Sequence, residues 1–472
     1  MNDWANSGID LHLELTAGGG TRDAVEGALR EAVRDGRLAA GTRLPATRVL
    51  AADLGVARNT VADAYGQLVA EGWLTARQGS GTRVAAGAGA GAAQRVAAAV
   101  PERAEGERYA YDLRPGSPDL SAFPRAAWAA AARRALAAAP NEAFGYQDPR
   151  GRPELRGALA EYLARVRGVR TDPALIVVCT GFVQATGLLG RALRAERGAR
   201  RIAVEALGYP DTRTILRGAG LETVSLPVDE DGARVEGLTD ARADAVLLTP
   251  AHQFPAGVPL SPARRTAAVA WARAGGGVVI EDDYDGEFRY DRQPVGALQG
   301  LAPEHVVYAG TASKSLAPGL RLAWLALPAA LLDAVAAQKR LADHVSPVID
   351  QLTLAELIAS GAYDRHVRRM RLHYRRRRDR LTAALAERAP GVRVSGIAAG
   401  LHAVLELPPG APPVAYLVSR AAQRGLALQG LDALGGEAGA GGQALVVGYG
   451  TPPEHAFAGA VDTLCGLLSA IR

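Results

Sequence analysis

Lys314 stands inside GTASKSLAPGLR, Gly310 to Arg321, and is one of only two lysines in a chain with 54 basic residues. Where a plain positive charge suffices the chain uses arginine, so a lysine here points to amine chemistry. A guanidinium stays protonated, whereas a lysine amine with a lowered pKa condenses with an aldehyde to give a Schiff base. Pyridoxal phosphate is the obvious aldehyde. Thr311 and Ser313 offer hydroxyls to its phosphate, and Arg321 offers a bidentate fork. The plain alternative is a surface lysine in a serine-rich loop. Upstream, EDDYD supplies an acid and a phenol at Asp282 and Tyr284. A carboxylate that keeps the pyridine nitrogen protonated makes the ring an electron sink, which suits Asp282, and Tyr284 is placed to bond the ring hydroxyl. An isolated DDYD is usually a solvated loop; followed by SKSLAPGLR about one αβ unit later, it becomes a specific pair.

Both groups need a scaffold. GGGVVIEDDYD reads as a buried strand that delivers its acids at the C-terminal end, where open α/β sheets meet their ligands. ALIVVCTGFVQATGLLG, from Ala174, reads as a strand, a glycine and a helix, so the amides of Gly181, Phe182 and Val183 lie at a helix start suited to a phosphate. Strands alternate with helices from Ile176 to Leu327, which predicts a mostly parallel sheet wound by helices. From Gly391 onward, strands and helices form a smaller C-terminal subdomain. Tyr363 to Leu385 reads as one long arginine-rich helix, a solvated connector in preference to a DNA-backbone contact.

A different pattern occupies the first 84 residues. Thr47 to Leu54 and Arg58 to Glu71 form two helices around a Gly55-Val56 turn, and TARQGSGTRV follows as a glycine-tipped hairpin. This is a winged helix-turn-helix. Its second helix opens on Arg58, Asn59 and Thr60, polar side chains at the end that enters a DNA major groove. Bulk charge argues nothing here, because residues 1–84 hold nine arginines against ten acids. Residues 85–110 are alanine- and glycine-rich and read as a flexible linker, leaving 111–472 for the larger part. At 472 residues the chain has room for two or three cored domains. No segment reads as transmembrane, the amino terminus lacks a signal-peptide pattern, and a cytoplasmic protein with no membrane partner is expected. Cys179 and Cys465 read as buried free thiols, and no metal-ligand spacing occurs.

With these motifs together, the region from about Asp112 onward resembles the fold-type I aminotransferases, and the whole chain is similar to the MocR-type (GabR-like) regulators, in which a GntR winged helix is fused to such a domain. The resemblance implies DNA contacts from Arg48, Arg58, Thr60 and Gln78-Gly79, with Arg43 a weaker addition. It implies that Tyr209, in the Gly208-Tyr209-Pro210 turn, stacks on the pyridine ring. It also implies that Tyr146, in a Tyr-Gln-Asp-Pro-Arg-Gly turn, reaches the cofactor phosphate of the other subunit in a head-to-tail homodimer, although a structural tyrosine in a capped turn is as plausible. Promoter DNA and pyridoxal 5'-phosphate are the implied partners.

Two departures from the family pattern bear on function. Phe254 stands where aminotransferases place an asparagine against the ring oxygen, leaving Tyr284 as the main partner there, with His252 and Gln253 nearby. In ALVVGYGTP, Val446 stands about where an arginine clamps the substrate carboxylate, and no lysine or arginine occurs between Gly425 and His455. Two classes remain open: a regulator that senses a small molecule, and a working aminotransferase that carries a DNA-binding module. The missing clamp and Phe254 favour the regulator, and the missing clamp favours, within the family, its pyridoxine-biosynthesis members, the PdxR group, with pyridoxal phosphate itself as the signal. The rival effector is an amino acid such as GABA or taurine, held through another arginine, for instance Arg213.

Overall fold

The structure is a computed structural model that describes residues 13, 20–77, 81–88, 109–290, 295–435, 442–469 and 471. Its chain divides into two compact units, Met1–Glu107 and Arg108–Arg472. Gln78, Gly79 and residues 89–108, most of the expected linker, lie outside the described residues.

In the first unit, apolar residues at helical spacing fold α1 (Thr21–Arg34), α2 (Thr47–Asp53) and α3 (Arg58–Ala70) around one core, to which Leu29, Leu50, Val61 and Leu68 contribute. Gly55 and Gly72, at φ +67° and +80°, end α2 and α3 in the left-handed conformation that costs glycine least. The chain then forms an antiparallel hairpin, β1 (Leu74–Arg77) and β2 (Gly81–Val84), with Leu74 opposite Val84. Leu74 and Val84 close the core from the hairpin side. The Tyr65 hydroxyl donates to the Pro45 carbonyl at 3.0 Å, tying α3 to the segment before α2. Arg30 meets Glu71 at 2.7 Å and fixes α1 to the end of α3.

The second unit is built on a seven-stranded sheet: β3 (Ile176–Cys179), β4 (Arg201–Glu205), β5 (Glu222–Leu226), β6 (Ala245–Leu248), β7 (Val278–Asp283), β8 (Val306–Thr311) and β9 (Ala323–Ala326). The spatial order is β3-β9-β8-β7-β6-β4-β5, and β9 alone runs antiparallel to its neighbours. Strands such as IVVC, AVLL and AWLA are buried along their whole length, as a sheet covered on both faces requires. Covering helices are α4 (Arg125–Ala138), α5 (Pro153–Arg167), α6 (Phe182–Arg197), α7 (Asp211–Gly218), α8 (Pro262–Gly275), α9 (Leu332–Ala342) and α10 (Val348–Ala359). One core layer joins α6 to the sheet through Leu188, Leu189 and Leu193; another joins α5 and α10 through Leu159, Leu163, Leu354 and Leu357. Each such leucine contributes about 1.5–3 kcal/mol by leaving water.

The 27-residue α11 (Ala362–Arg388) leads to a smaller layer. There β10 (Arg393–Ser395), β11 (His402–Glu406), β12 (Gln429–Gly430) and β13 (Ala444–Gly448) form an antiparallel sheet in the order β10-β11-β13-β12, accompanied by α12 (Val414–Gln423) and α13 (Glu454–Leu468). Met370, Tyr374 and Leu381 of α11 pack with Leu405, Val447, Phe457 and Leu464. Arg377 is the buried member of the arginine run on this helix. It meets Asp119 at 3.0 Å, Glu454 at 3.0 Å and the Pro452 carbonyl at 2.6 Å, tying α11 to the segment before α4 and to the start of α13.

Candidate functional site

Parallel strands bring their C-terminal ends to one edge of the sheet, and that edge opens into a cavity of about 540 Å³. The end of β7 and the residues just after it bring Asp282, Tyr284 and Asp285; the end of β8 and the turn after it bring Thr311, Ser313 and Lys314. Phe182 and Val183 enter from the start of α6, and Glu205, Tyr209, Arg213 and Arg321 add to the polar lining. The cavity thus gathers side chains spread over more than a hundred residues of sequence.

At one end the donors suit a phosphate. The 16-residue α6 starts without a side-chain cap, so its first amides stay available for an anion. Gly181 precedes them at φ +119°, ψ 166°, and a Cβ there would fall 2.4 Å from Nη2 of Arg321. Only glycine allows the guanidinium to lie so close to the helix start. Thr311 Oγ1 is 2.8 Å from Ser313 Oγ, pairing the two hydroxyls.

At the other end lie the groups for a nitrogen ring. The Lys314 amine donates to the Gly116 carbonyl. Burial pulls its pKa below the ordinary lysine range, opposed by Asp285 and Asp282. Asp282 makes no hydrogen bond through its carboxylate among the described residues. Burial, reinforced by Asp283 and Asp285 and opposed by Lys314, pushes its pKa well above the carboxylate range. A carboxyl in this state awaits a cationic or proton-sharing partner. Tyr209 is half exposed at the cavity wall, and its hydroxyl bonds Asp211 at 2.9 Å.

Behind Tyr284 lies a group that sequence reasoning did not assemble. Its hydroxyl is 3.1 Å from His252 Nδ1, which is 2.9 Å from Asp285 Oδ2, and the rings of His252 and His402 are 5.0 Å apart. Burial, then the neighbouring His252, lowers the His402 pKa to about 3. Ligand atoms of His252, Asp285 and His402 lie within 4.8 Å of one another, but His402 Nε2 is also 3.1 Å from the Pro255 carbonyl. His252 therefore supports Tyr284 from behind instead of lining the cavity. Phe254 stands edge-on to Tyr284, ring centroids 6.0 Å apart, where a polar partner was lacking in the sequence.

Glu205 was missed as well. It accepts from Thr249 Oγ1 at 2.5 Å and from Gln253 Nε2 at 3.1 Å, and burial outweighs these bonds to raise its pKa to about 6. A charged residue closing the apolar strand RIAVE was the signal that could have found it.

Three expected residues stand apart from the cavity or from a free role. Tyr146 is 90% exposed, touches the ring of His344 at 5.3 Å and does not line its own chain's cavity. Arg213 lines the cavity, yet its Nη2 donates to the carbonyls of Glu205 and Ala206 at 2.8 and 3.4 Å and to Ser225 Oγ at 3.2 Å, which ties it to the strand edges. Val446 is fully buried in an apolar group with Leu207, Val404, Leu431 and Leu434, flanked by Phe254. In the first unit, Arg43, Arg48, Arg58 and Asn59 are exposed and Thr60 is half-buried at the start of α3, whose N-cap makes no side-chain bond. Arg43 pairs with Arg83 of the hairpin through a β-bridge.

A wound sheet with a lysine at a strand's C-terminal end, beside an uncapped helix start, defines the fold-type I aminotransferase class. Residues 113–425 match the aminotransferase class I and II family, and residues 21–84 match the gntR family of bacterial regulatory proteins. The chain is 34% identical over 447 residues to the HTH-type pyridoxine biosynthesis transcriptional regulator PdxR of Corynebacterium glutamicum, covering 94% of this chain and 93% of that one. It is 35% identical over 367 residues to the probable rhizopine catabolism regulatory protein MocR of Rhizobium meliloti, 74% of each chain. Among solved structures, LysN, the α-aminoadipate aminotransferase of Thermus thermophilus, is similar with a TM-score of 0.67 and 27% identity, over 76% of this chain and 92% of that one. The chain belongs to the MocR-type transcriptional regulators, a GntR winged helix joined to an aminotransferase-like domain. No described helix is long and apolar enough to cross a membrane.

Proposed function

We propose that this chain is a cytoplasmic, pyridoxal-phosphate-binding regulator that acts on promoter DNA through its winged helix and controls genes of pyridoxine synthesis, with the cofactor itself as the signal. Residues 1–84 would be the DNA-binding domain and 111–472 the effector domain, joined by 85–110. One observation carries the reading: the cavity offers a donor for every polar part of pyridoxal phosphate, while Val446 leaves the expected carboxylate clamp apolar.

The residues present fit the cofactor. Arg321, Thr311, Ser313 and the amides of Gly181, Phe182 and Val183 would hold the phosphate, a dianion matched by a helix start and a fork. Lys314, whose amine gives up its proton more readily because it is buried, is the covalent anchor. Asp282 holds a proton toward the pyridine nitrogen, Tyr284 meets the ring oxygen, and Tyr209 covers one ring face. Bound pyridoxal phosphate supplies an aldehyde and an electron-withdrawing ring. In a head-to-tail homodimer the exposed Tyr146 would complete the phosphate site of the partner. On DNA, Arg48, Arg58, Asn59 and Thr60 face the groove and its phosphates, with Arg43 and Gln78-Gly79 toward the wing.

Promoter DNA affinity of the apo protein titrated with pyridoxal phosphate, then of the loaded protein titrated with amino acids, tests the reading. A shift with the cofactor is expected. A shift with an amino acid alone overturns the cofactor-sensing reading.

A further inference from the structure

Helix α11 carries a face that the cavity does not use. Tyr363, Val367, Met370, Tyr374 and Leu381 turn inward. Outward, Arg365, Arg368, Arg369, Arg375, Arg376 and Arg380 are all exposed. Their spacings of three, one, six, one and four residues keep them on one stripe of an α-helix. Asp379, 3.9 Å from Arg375, is the acid on that stripe, since Asp364 is held by Arg165 at 2.9 Å. Six cations against one anion give an excess of five on this one face. That equals the formal charge of the whole chain, 54 − 49 = +5.

A helix face that meets only water interleaves its signs. On α1 the signs interleave, with the buried Glu26 at 3.2 Å from both Arg22 and Arg30. On α11 the pairs Arg365 with Arg369 and Arg376 with Arg380 stand four residues apart with like charges, an arrangement that works against the helix. Such a row is compensated by an external polyanion. The fifteen steps from Arg365 to Arg380 rise about 22 Å. One strand of duplex DNA presents about six phosphates over that length. Guanidinium forks match phosphate oxygens bidentately, which suits a stripe of arginines in a chain nearly without lysine.

We propose that the outer face of α11 is a second DNA surface, binding backbone phosphates without reading sequence, in the same complex that the winged helix forms. The proposal rests on the DNA-regulator reading above and extends it to the aminotransferase-like part. Phosphate contacts of this kind add affinity and salt dependence, while base preference stays with the recognition helix.

The test uses the full, cofactor-loaded chain, the duplex it protects upstream of its own gene, and a scrambled duplex of equal length. Affinity is measured from about 50 to 200 mM salt, a range set by the steep dependence of such contacts. The combined variant Arg368→Gln, Arg375→Gln, Arg376→Gln and Arg380→Gln keeps helix-forming side chains. Its log K against log salt is expected to flatten by about 2–4, at about 0.9 per lost phosphate contact, on both duplexes. The preference for the protected sequence should hold within about threefold, because these contacts do not read bases. Leu372→Glu, which puts a negative charge at an exposed point within the stripe, should flatten the slope in the same direction and decides the matter alone should the fourfold variant not fold. An unchanged slope overturns the proposal and leaves the face to an acidic protein or to an anionic lipid surface. Failure of the winged-helix reading looks different: Arg58→Ala would then retain sequence preference.

Discussion

Gly181→Ala tests the phosphate end of the cavity most directly. Gly181 sits at φ +119°, ψ 166°, a region that side-chain-bearing residues enter at a cost of about 1–3 kcal/mol. The new methyl would also meet Arg321, 2.4 Å from Nη2, 2.8 Å from Cζ and 2.9 Å from Nη1, so the guanidinium must leave its place. Losing one charged hydrogen-bond partner of a phosphate costs about 1.5–3 kcal/mol. That weakens pyridoxal phosphate binding by about 12- to 140-fold at about 1.4 kcal/mol per decade. Titration of apo protein followed by visible absorbance reads it. Unphosphorylated pyridoxal, which does not use the cradle, should bind parent and variant alike, so the preference for the phosphorylated form collapses. Equal loss for both ligands, or pyridoxal phosphate bound within about twofold of the parent, would refute the assignment.

Lys314→Ala should lose the visible absorption band of the reconstituted protein while melting like the parent; a colourless parent after reconstitution removes the cofactor reading altogether. Arg58→Ala should abolish sequence-specific DNA binding and leave cofactor titration unchanged, as gel-shift and absorbance measurements would show. Sedimentation at micromolar concentration should give a dimer, and a monomer would contradict the role proposed for Tyr146. Glu205, raised from 4.5 to about 6 by burial, binds its proton more tightly folded than unfolded. Its contribution to stability is therefore complete below about pH 4.5 and is lost as pH rises through about 6, by about 2 kcal/mol. Urea melts should show that slope in the parent and not in Glu205→Gln; parallel curves across about pH 4–7 would sink the account.

Local pattern made much of this legible. Lys314, Asp282 and Arg321 lie on short motifs at strand ends, and helix and hairpin spacing placed α2, α3 and the wing strands within a residue or so. The smaller sheet was read only as strands and helices, because its pairing joins β11 to β13 across about forty residues, which no local period encodes. The same limit hid the His252–Asp285–His402 group, which joins the ends of β6 and β7 to β11 of the smaller sheet, and the Glu205–Thr249–Gln253 network, which joins the end of β4 to the segment after β6. Arg213 illustrates the converse. Its sequence position allowed a free clamp, while the folded chain directs its guanidinium to the carbonyls of β4 and its continuation.

What separates a sensor from a transaminase in this cavity is fixation of a second ligand. Transfer of an amino group requires the substrate carboxylate to be held so that the bond to be broken stands against the ring, and that orientation supplies much of the rate. In this chain the two positions read for that clamp, 446 and 213, have other duties, and position 254 departs from the family at the ring oxygen. Val446 packs into an apolar group, Phe254 sets an aromatic edge against Tyr284, and Arg213 is tied to backbone oxygens. Leu207, Leu434 and Phe254 line the cavity beside that apolar group, and a carboxylate buried against them without a partner would cost several kcal/mol. The donors for pyridoxal phosphate carry no such conflict, which supports the proposed cofactor-sensing reading over one in which an amino acid is selected. Exchange of Val446 for arginine alone would not reverse this, because the guanidinium would enter the same apolar group with no acid to meet it there.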